Sequence, residues 1–277
     1  FRSCPDGHMV HPTSSIIVMV SDDLNSWTEV NRFHVKRRDV RDPHFLVFQD
    51  KLFVYSGTWY CGKLSDASKD RDLNLHVGYG VSSEDGQSWT DPVLLEGTFG
   101  HYIWRAASFD NTAYLCGRRK KGFEVIPRKD AVVESVMLES NDGLIFKTGG
   151  MFQTEHGDET AFQFSEDGSV LAIGRRGRDK AEVLRSNPPY RQWQRDDLDR
   201  LIGGPLLSRW GKLFQQLVKR CGAGVDCFIV IVDLVTGDTT DLVIELATSF
   251  SIAPFPKFVR DTSCSGPLNL RKWLMLS

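Results

Sequence analysis

Short apolar runs broken by turn residues recur along most of the chain, and one stretch shows the pattern most clearly. Between Val40 and Trp89, HFLVF and KLFVYSG are two apolar runs separated by Gln49-Asp50, the signature of a buried β-hairpin. Leu75, Val77, Tyr79 and Val81 then alternate with His76, Gly78 and Gly80, which predicts a third strand with one buried face. Ser82 to Trp89 form a turn out of that strand, and PVLLEG supplies a fourth. Four antiparallel strands in about fifty residues have the size of one propeller blade.

Looser copies of the unit lie on both sides. SSIIVMV, SDDLNSW and TEVNRFHV match a third strand, an exit turn and a fourth strand, so the first two strands of that unit, apart from Phe1-Arg2, are expected to be missing with residues lost before Phe1. Tyr102 to Gly117 repeats the hairpin with Asp110-Asn111 at its turn, and Thr160 to Arg175 repeats it with SEDG. Gly204 to Phe214 opens a further unit whose outer strands are CFIVIVD and TDLVIEL. The expected architecture is all-β, a single six-bladed β-propeller with its first blade incomplete. Its units are 1–39, 40–100, 101–153, 154–200, 201–246 and an irregular last blade at 247–277; a five-bladed propeller is the alternative. Two stretches fit poorly: Gly211 to Gly224 has helical spacing, and 247–277 lacks alternation.

Composition narrows the partners. With 277 residues and 41% hydrophobic content the chain buries a large core. Its 34 basic and 36 acidic residues nearly balance, and no Lys/Arg stripe of the kind that grips phosphate backbones occurs, so nucleic acid is not an expected partner. No apolar run approaches the roughly 18 residues of a membrane-spanning helix, so membrane insertion is not expected. The six cysteines form no CxxC pair and have no zinc-type spacing to histidine, and neither metal nor cofactor is expected.

In a propeller the starts of the innermost strands ring one face, and each blade lends one or two residues to a site there. Aligned on the hairpin turns, that ring contains Arg41-Asp42, Trp104-Arg105, Glu159, Gly204 and Phe255. A second ring, from the ends of the second strands and the loops beyond, contains Arg2 with Asp6 and His8, Trp59-Tyr60, Asp72, Arg118, Arg175 and Arg220. Charged and aromatic residues dominate both.

With these residues in place the chain resembles the sialidases (neuraminidases). SSEDGQSW and SDDLNSW are similar to the Asp-box turns of that family, with Glu84 at the usual Asp position in the first and the second a residue short. ETAFQFSEDGSVLAIGR resembles the sialidase segment that carries the catalytic Glu and the second arginine, which implies those roles for Glu159 and Arg175. Phe1-Arg2 followed by Asp6 resembles the place of the family's acid/base Asp, and Arg220 falls where the third arginine would be. The first arginine would precede Phe1, and Phe255 stands nearest the place of the nucleophilic Tyr. RDP at Arg41 to Pro43 also resembles the motif of five-bladed arabinan- and fructan-cleaving propellers, whose Asp orients the sugar. The resemblance implies an exo-acting glycoside hydrolase.

Glycoside chemistry needs a proton donor for the leaving oxygen and a negative or nucleophilic group across the ring. Asp6 and Glu159 are the carboxylates for those roles, Arg175 and Arg220 suit a bidentate carboxylate ligand, and Trp59, Tyr60 and Trp104 offer flat faces to a sugar. The expected partner is a glycan or small sugar. Each residue also has a plain structural role open to it: Asp6 as a turn residue, Glu159 as half of an ion pair, Arg41 and Asp42 as blade contacts, and Trp27, Trp89 and Trp193 as packing plugs. Three functions stay open: a hydrolase, a propeller that binds sugar without cleaving it, and a structural propeller.

Overall fold

The computed structural model describes residues 1–210 except 24, 63–71 and 128–129, and beyond them the strands Leu213–Lys219, Cys227–Val232 and Thr239–Leu242; side chains are described as far as Leu207. Among the described residues the strands form five antiparallel sheets, each a simple meander. The first has three strands, β1 (Arg2–Ser3), β2 (Ser15–Val20) and β3 (Thr28–Phe33). The second holds β4 (Arg38–Phe48), β5 (Lys51–Tyr60), β6 (Val77–Ser83) and β7 (Val93–Leu94). The third holds β8 (Tyr102–Phe109), β9 (Thr112–Lys120), β10 (Val133–Ser140) and β11 (Lys147–Gln153). The fourth holds β12 (Thr160–Phe164), β13 (Val170–Arg176), β14 (Asp179–Ser186) and β15 (Gln194–Asp197). The fifth holds β16 (Gly204–Trp210), β17 (Leu213–Lys219), β18 (Cys227–Val232) and β19 (Thr239–Leu242).

Turn chemistry fixes the register. Gln49 and Asp50 join β4 to β5 with φ of 49° and 60°, and Asp110 and Asn111 join β8 to β9 with φ of 45° and 56°. Two successive left-handed residues match the twist of a two-residue hairpin, and Asp and Asn tolerate that region better than most side chains. The exit turns repeat a tighter device. Asp23 Oδ1 accepts from the backbone N–H of Asn25 and Ser26 and from the Ser21 hydroxyl. Asp85 does the same with Gln87, Ser88 and Ser83, and Asp142 with Leu144, Ile145 and Ser140. The turn carboxylate is therefore Asp85, while Glu84 is exposed beside Lys51 at 3.2 Å, which corrects the alignment that put Glu84 in that place.

Each sheet packs on the next through its own apolar cluster. Ile16, Val18, Phe33, Val40, Val54 and Val81 join the first sheet to the second. Leu46, Phe53, Tyr55, Leu95, Ile103, Leu115 and Leu138 join the second to the third. Tyr114, Met137, Phe152, Phe162 and Leu184 join the third to the fourth, and Leu171, Ile173, Val183, Ile202 and Leu207 join the fourth to the fifth. A side chain of this size contributes roughly 1.5–3 kcal/mol when fully buried, so the period-two alternation is what holds the sheets face to face. The first strands pack on one another in sequence, β4 on β8, β8 on β12 and β12 on β16, as the inner strands of blades about a common axis do.

One stretch that fits the repeat poorly falls partly on the described residues, and there it is a strand. Leu213, Phe214, Leu217 and Val218 have helical spacing, but Leu213–Lys219 is strand β17, bonded to β16 on one side and β18 on the other. Two flanking strands supply every ladder partner, and that tertiary context overrides a weak local preference. The irregular unit at 247–277 lies outside the described residues.

Candidate functional site

Two backbone irregularities aim side chains at the end of the sheets where the inner strands begin. The β4–β5 ladder shifts register between Arg41 and His44, where Pro43 has no N–H to give and Asp42 is left-handed with φ of 46°. The β8–β9 ladder shifts between Ile103 and Ala106, around Trp104 and Arg105. A bulge leaves residues out of the ladder and redirects them, so Asp42, Trp104 and Arg105 need not follow the in-out alternation of their strands. Left-handed backbone at a non-glycine residue costs on the order of 1–2 kcal/mol, which makes Asp42 a position held by its surroundings.

Asp42 is held by Tyr102, whose hydroxyl donates to Oδ2. Tyr102 is 2% exposed, and burial together with the charges of Asp42 and Glu159 drives its phenol far above the ordinary range. Both carboxylates also act on Arg105, whose pKa burial lowers to about 10 against their pull. Asp42, on the second sheet, bonds Tyr102 of the third directly, and Glu159, just ahead of the fourth, reaches the same tyrosine by its charge, with Arg118 5.3 Å from the ring centre.

Glu159 precedes β12 and accepts from Arg175 at 2.7 Å. Asp158 bridges Arg118 through Oδ1 and Arg175 Nε at 3.3 Å through Oδ2. Burial raises the Glu159 carboxyl above its ordinary value, Asp158 adds to the rise, and Arg118 and Arg175 oppose it. Arg105 donates to the Pro205 carbonyl at 2.8 and 3.2 Å and to His44 Nδ1 at 3.4 Å, and its guanidinium lies 5.0 Å from the Trp104 ring centre.

A second group adjoins this one. Asp39, with no solvent exposure, accepts from Arg2 at 2.8 Å and from Arg41 at 2.5 Å. Arg2 also donates to the carbonyls of Gly7 at 2.6 Å and Met9 at 2.8 Å, and Arg41 to that of His8. These two arginines thereby pin the loop that carries Asp6 and His8. Asp6 itself is exposed, and its carbonyl closes a turn to the Met9 N–H at 3.1 Å.

The remaining candidates lie apart or inside the core. Trp59 is packed with Leu73 and Tyr102, its ring edge-on to His76 at 4.4 Å, so it presents no free face. Tyr60 is exposed at the end of β5 with Arg38 over its ring at 5.8 Å. Asp72 caps a short turn through the Asn74 N–H and pairs with the buried Lys120 at 3.1 Å. Arg220 and Phe255 lie outside the described residues. Asp39, His44, Tyr102 and Asp158 were not singled out by the repeat alignment, although Asp39 shares the strand face of Arg41 two residues on and Asp158 adjoins Glu159. A groove of about 930 Å³ lined by Ser165, Arg185, Pro188 and Trp193 lies at the opposite end of the fourth sheet and holds none of these groups.

No family model matches the chain, and no curated protein matches it. Solved structures do. The α-L-arabinofuranosidase Arb93A of Fusarium graminearum, in complex with an iminosugar inhibitor, superposes with a TM-score of 0.60 at 12% identity over 81% of this chain and 68% of its own. The sialidase of Trypanosoma rangeli, in complex with sialic acid, gives 0.56 at 16% identity over 79% of this chain and 41% of its own. Zg3597 of Zobellia galactanivorans, a family 117 glycoside hydrolase, gives 0.54 at 12% identity over 76% of this chain and 71% of its own. The chain therefore shares its fold with glycoside-hydrolase propellers, the sialidase among them.

Proposed function

We propose that this protein is a glycoside hydrolase that removes terminal sugars from glycans. The observation that carries the reading is the pairing of Asp42 with the Tyr102 hydroxyl beside the Arg118–Asp158–Arg175–Glu159 network, whose Arg118 lies 5.3 Å from the Tyr102 ring centre, so that carboxylates from separate sheets meet at one end. A carboxyl pushed above its ordinary range by burial suits a proton donor to the leaving oxygen, which is the role of Glu159 here. Asp42, held by the Tyr102 hydroxyl, is the negative group across the sugar ring; Asp6, on the loop pinned by Arg2 and Arg41, is the other carboxylate at hand. A tyrosine nucleophile of sialidase type is not part of this scheme, because Tyr102 is buried. The six-bladed, sialidase-like form remains our reading of the whole ring, and the place of Asp42 in RDP equally supports the five-bladed arabinan-type alternative. The fold neighbours include an arabinofuranosidase and a sialidase, in keeping with both.

The test is release of 4-methylumbelliferone from its N-acetylneuraminic acid, α-L-arabinofuranose and β-D-xylose glycosides. At least one should be cleaved, and Glu159→Gln should lower that rate by about 10²- to 10⁴-fold, the usual share of general acid–base catalysis. Arg175 retains Asp158 in that variant, so its melting temperature should stay within a few degrees. No release from any of the three, or turnover that survives the substitution, would sink the hydrolase; sugar binding without turnover would leave a lectin-like propeller.

A further inference from the structure

A buried amide at the end of the third sheet reaches the groups on either side of Glu159. Gln153 closes β11 and is 1% exposed. Its Oε1 accepts from the Asp158 N–H at 3.2 Å, and the Thr160 hydroxyl lies 3.5 Å from the same oxygen. Its Nε2 donates to the Arg175 carbonyl at 3.2 Å and to Glu182 Oε1 at 2.8 Å. Asp158 and Thr160 flank Glu159 in sequence, and Arg175 is its ion-pair partner. The Glu159 N–H donates to Asp158 Oδ1 at 3.0 Å, and the Glu159 carbonyl accepts from the Arg175 N–H at 3.0 Å.

The chemistry of its partners turns the amide one way. The Asp158 N–H only donates and the Glu182 carboxylate only accepts, so a flipped Gln153 would set donor against donor and acceptor against acceptor. Glu182 is itself buried on β14 and takes Arg195 of β15 at 3.1 Å, and Arg195 also donates to the Phe152 carbonyl at 2.6 Å. A chain of partners thus runs from the outer strand β15 through Glu182 and Gln153 to the loop before β12. The backbone of β13 leaves room for it: a Cβ on Gly174 would lie 2.7 Å from Gln153 Nε2 and 3.0 Å from its Cδ. Every member is buried or half-buried, so a member that loses its partner is costly, and the amide holds what it touches in place.

We propose that Gln153 is a positioning residue for Glu159: its amide fixes the N–H that precedes Glu159 and the carbonyl of the partner arginine, and so sets where the carboxyl stands. The inference rests on reading Glu159 as the proton donor. Gln153 meets neither sugar nor reacting atoms and acts through Asp158 and Arg175 alone.

The experiment is a carbon-13 NMR titration of the Glu159 carboxyl in the full chain, its signal assigned by its absence from Glu159→Gln. In Gln153→Met, which keeps the length of the side chain and none of its hydrogen bonds, the Glu159 pKa should move by about half a unit or more, a roughly threefold change in proton affinity. The Asp85 signal, from the other end of the sheets, should stay in place; a substitution that only loosened the fold would leave both signals of the folded molecules where they are. Gln153→Glu is the rescue. Around that position charge is carried by Glu182, Asp158 and Arg175, with Arg195 on Glu182 and Arg118 on Asp158. Protonated, the introduced carboxyl accepts from Asp158 and donates to Glu182; ionised, it faces the Glu182 carboxylate and repels it. The Glu159 signal of this variant should therefore match the wild type at about pH 5 and depart from it at about pH 8. Release of methylumbelliferone should follow, near the wild-type rate at about pH 5 and about tenfold or more below it at about pH 8. Should Gln153→Met fail to fold, Gln153→Glu decides alone. A Glu159 titration in folded Gln153→Met that coincides with the wild type would overturn the proposal, as would a Gln153→Glu signal that departs equally at both pH values or at neither. A wild type that cleaves nothing, with a Glu159 titration that Gln153→Met moves, would remove the hydrolase and keep this positioning; cleavage with an unmoved titration would do the reverse.

Discussion

Asp39 has no exposure and accepts from two guanidinium groups, one on the first sheet and one on its own strand. Removing one partner of such a buried group leaves uncompensated charge, so Asp39→Ala should destabilise the fold by about 3–5 kcal/mol in urea unfolding. A loss below about 1 kcal/mol would mean that water already reaches Arg2 and Arg41. Little of this was legible in the chain. The repeat alignment found Arg2, Arg41, Asp42, Trp104, Arg105, Glu159 and Arg175, because blade-equivalent positions follow from the hairpin turns. It passed over Asp39, Asp158 and His44, whose importance comes from which arginine or ring each one meets across a sheet boundary. It also gave Trp59 and Asp72 to the ligand, whereas one is packed beneath Tyr102 and the other is bound to Lys120. Residue type and spacing show where a side chain starts, and only packing shows whether a neighbour has already used it.

Strands and turns were far more legible. Gln49-Asp50 and Asp110-Asn111 mark their hairpins because few residues accept two successive left-handed positions, whereas the single buried face expected from Leu75 to Val81 is corrected: Leu75 belongs to a short turn, and β6, from Val77, is buried at Val77, Gly78, Gly80 and Val81 because sheets pack on both of its faces. β17 was left open because its apolar residues also satisfy a helical spacing, and the flanking strands that decide the matter lie elsewhere in sequence. The loop before β12 depends on a glycine that no pattern marks. A Cβ on Gly157 would lie 2.3 Å from Ser135 N and 2.4 Å from Glu134 C, backbone atoms of β10 that cannot swing aside. Gly157→Ala should therefore lift the loop, part Glu159 from Arg175, lower stability by more than about 2 kcal/mol and weaken sugar binding. Gly177→Ala is the control: its φ is 58° but nothing lies within 4 Å of the added carbon, so only about 1–2 kcal/mol of backbone strain is expected and the site should be intact. Equal effects of the two on sugar affinity would show that the close approach to β10 does not position Glu159.

The molecule carries a formal charge of −2, and carboxylates at its two ends respond to pH in opposite senses. In the exit turns, backbone N–H donors hold Asp23 and Asp85 at about 2, below the ordinary 3.8. A carboxyl with a lowered folded pKa stabilises the fold above its ordinary value, and that contribution is lost as pH falls through about 2. Glu159 behaves in the opposite sense. Burial raises it above the ordinary 4.5, so its contribution is fully present below 4.5 and is lost as pH rises through its folded value. The urea midpoint of the wild type should accordingly fall on both sides of a maximum, with the acid side set by the turns and part of the decline above pH 4.5 set by Glu159. Glu159→Gln should flatten that upper decline and leave the acid side unchanged, and Asp85→Ala should soften the acid side alone. The two variants separate the roles because the groups lie at opposite ends of the sheets, too far apart to share a partner. If the Glu159→Gln profile runs parallel to the wild type at every pH, Glu159 ionises as freely in the folded chain as in the unfolded one, and it loses both its raised pKa and its standing as the proton donor.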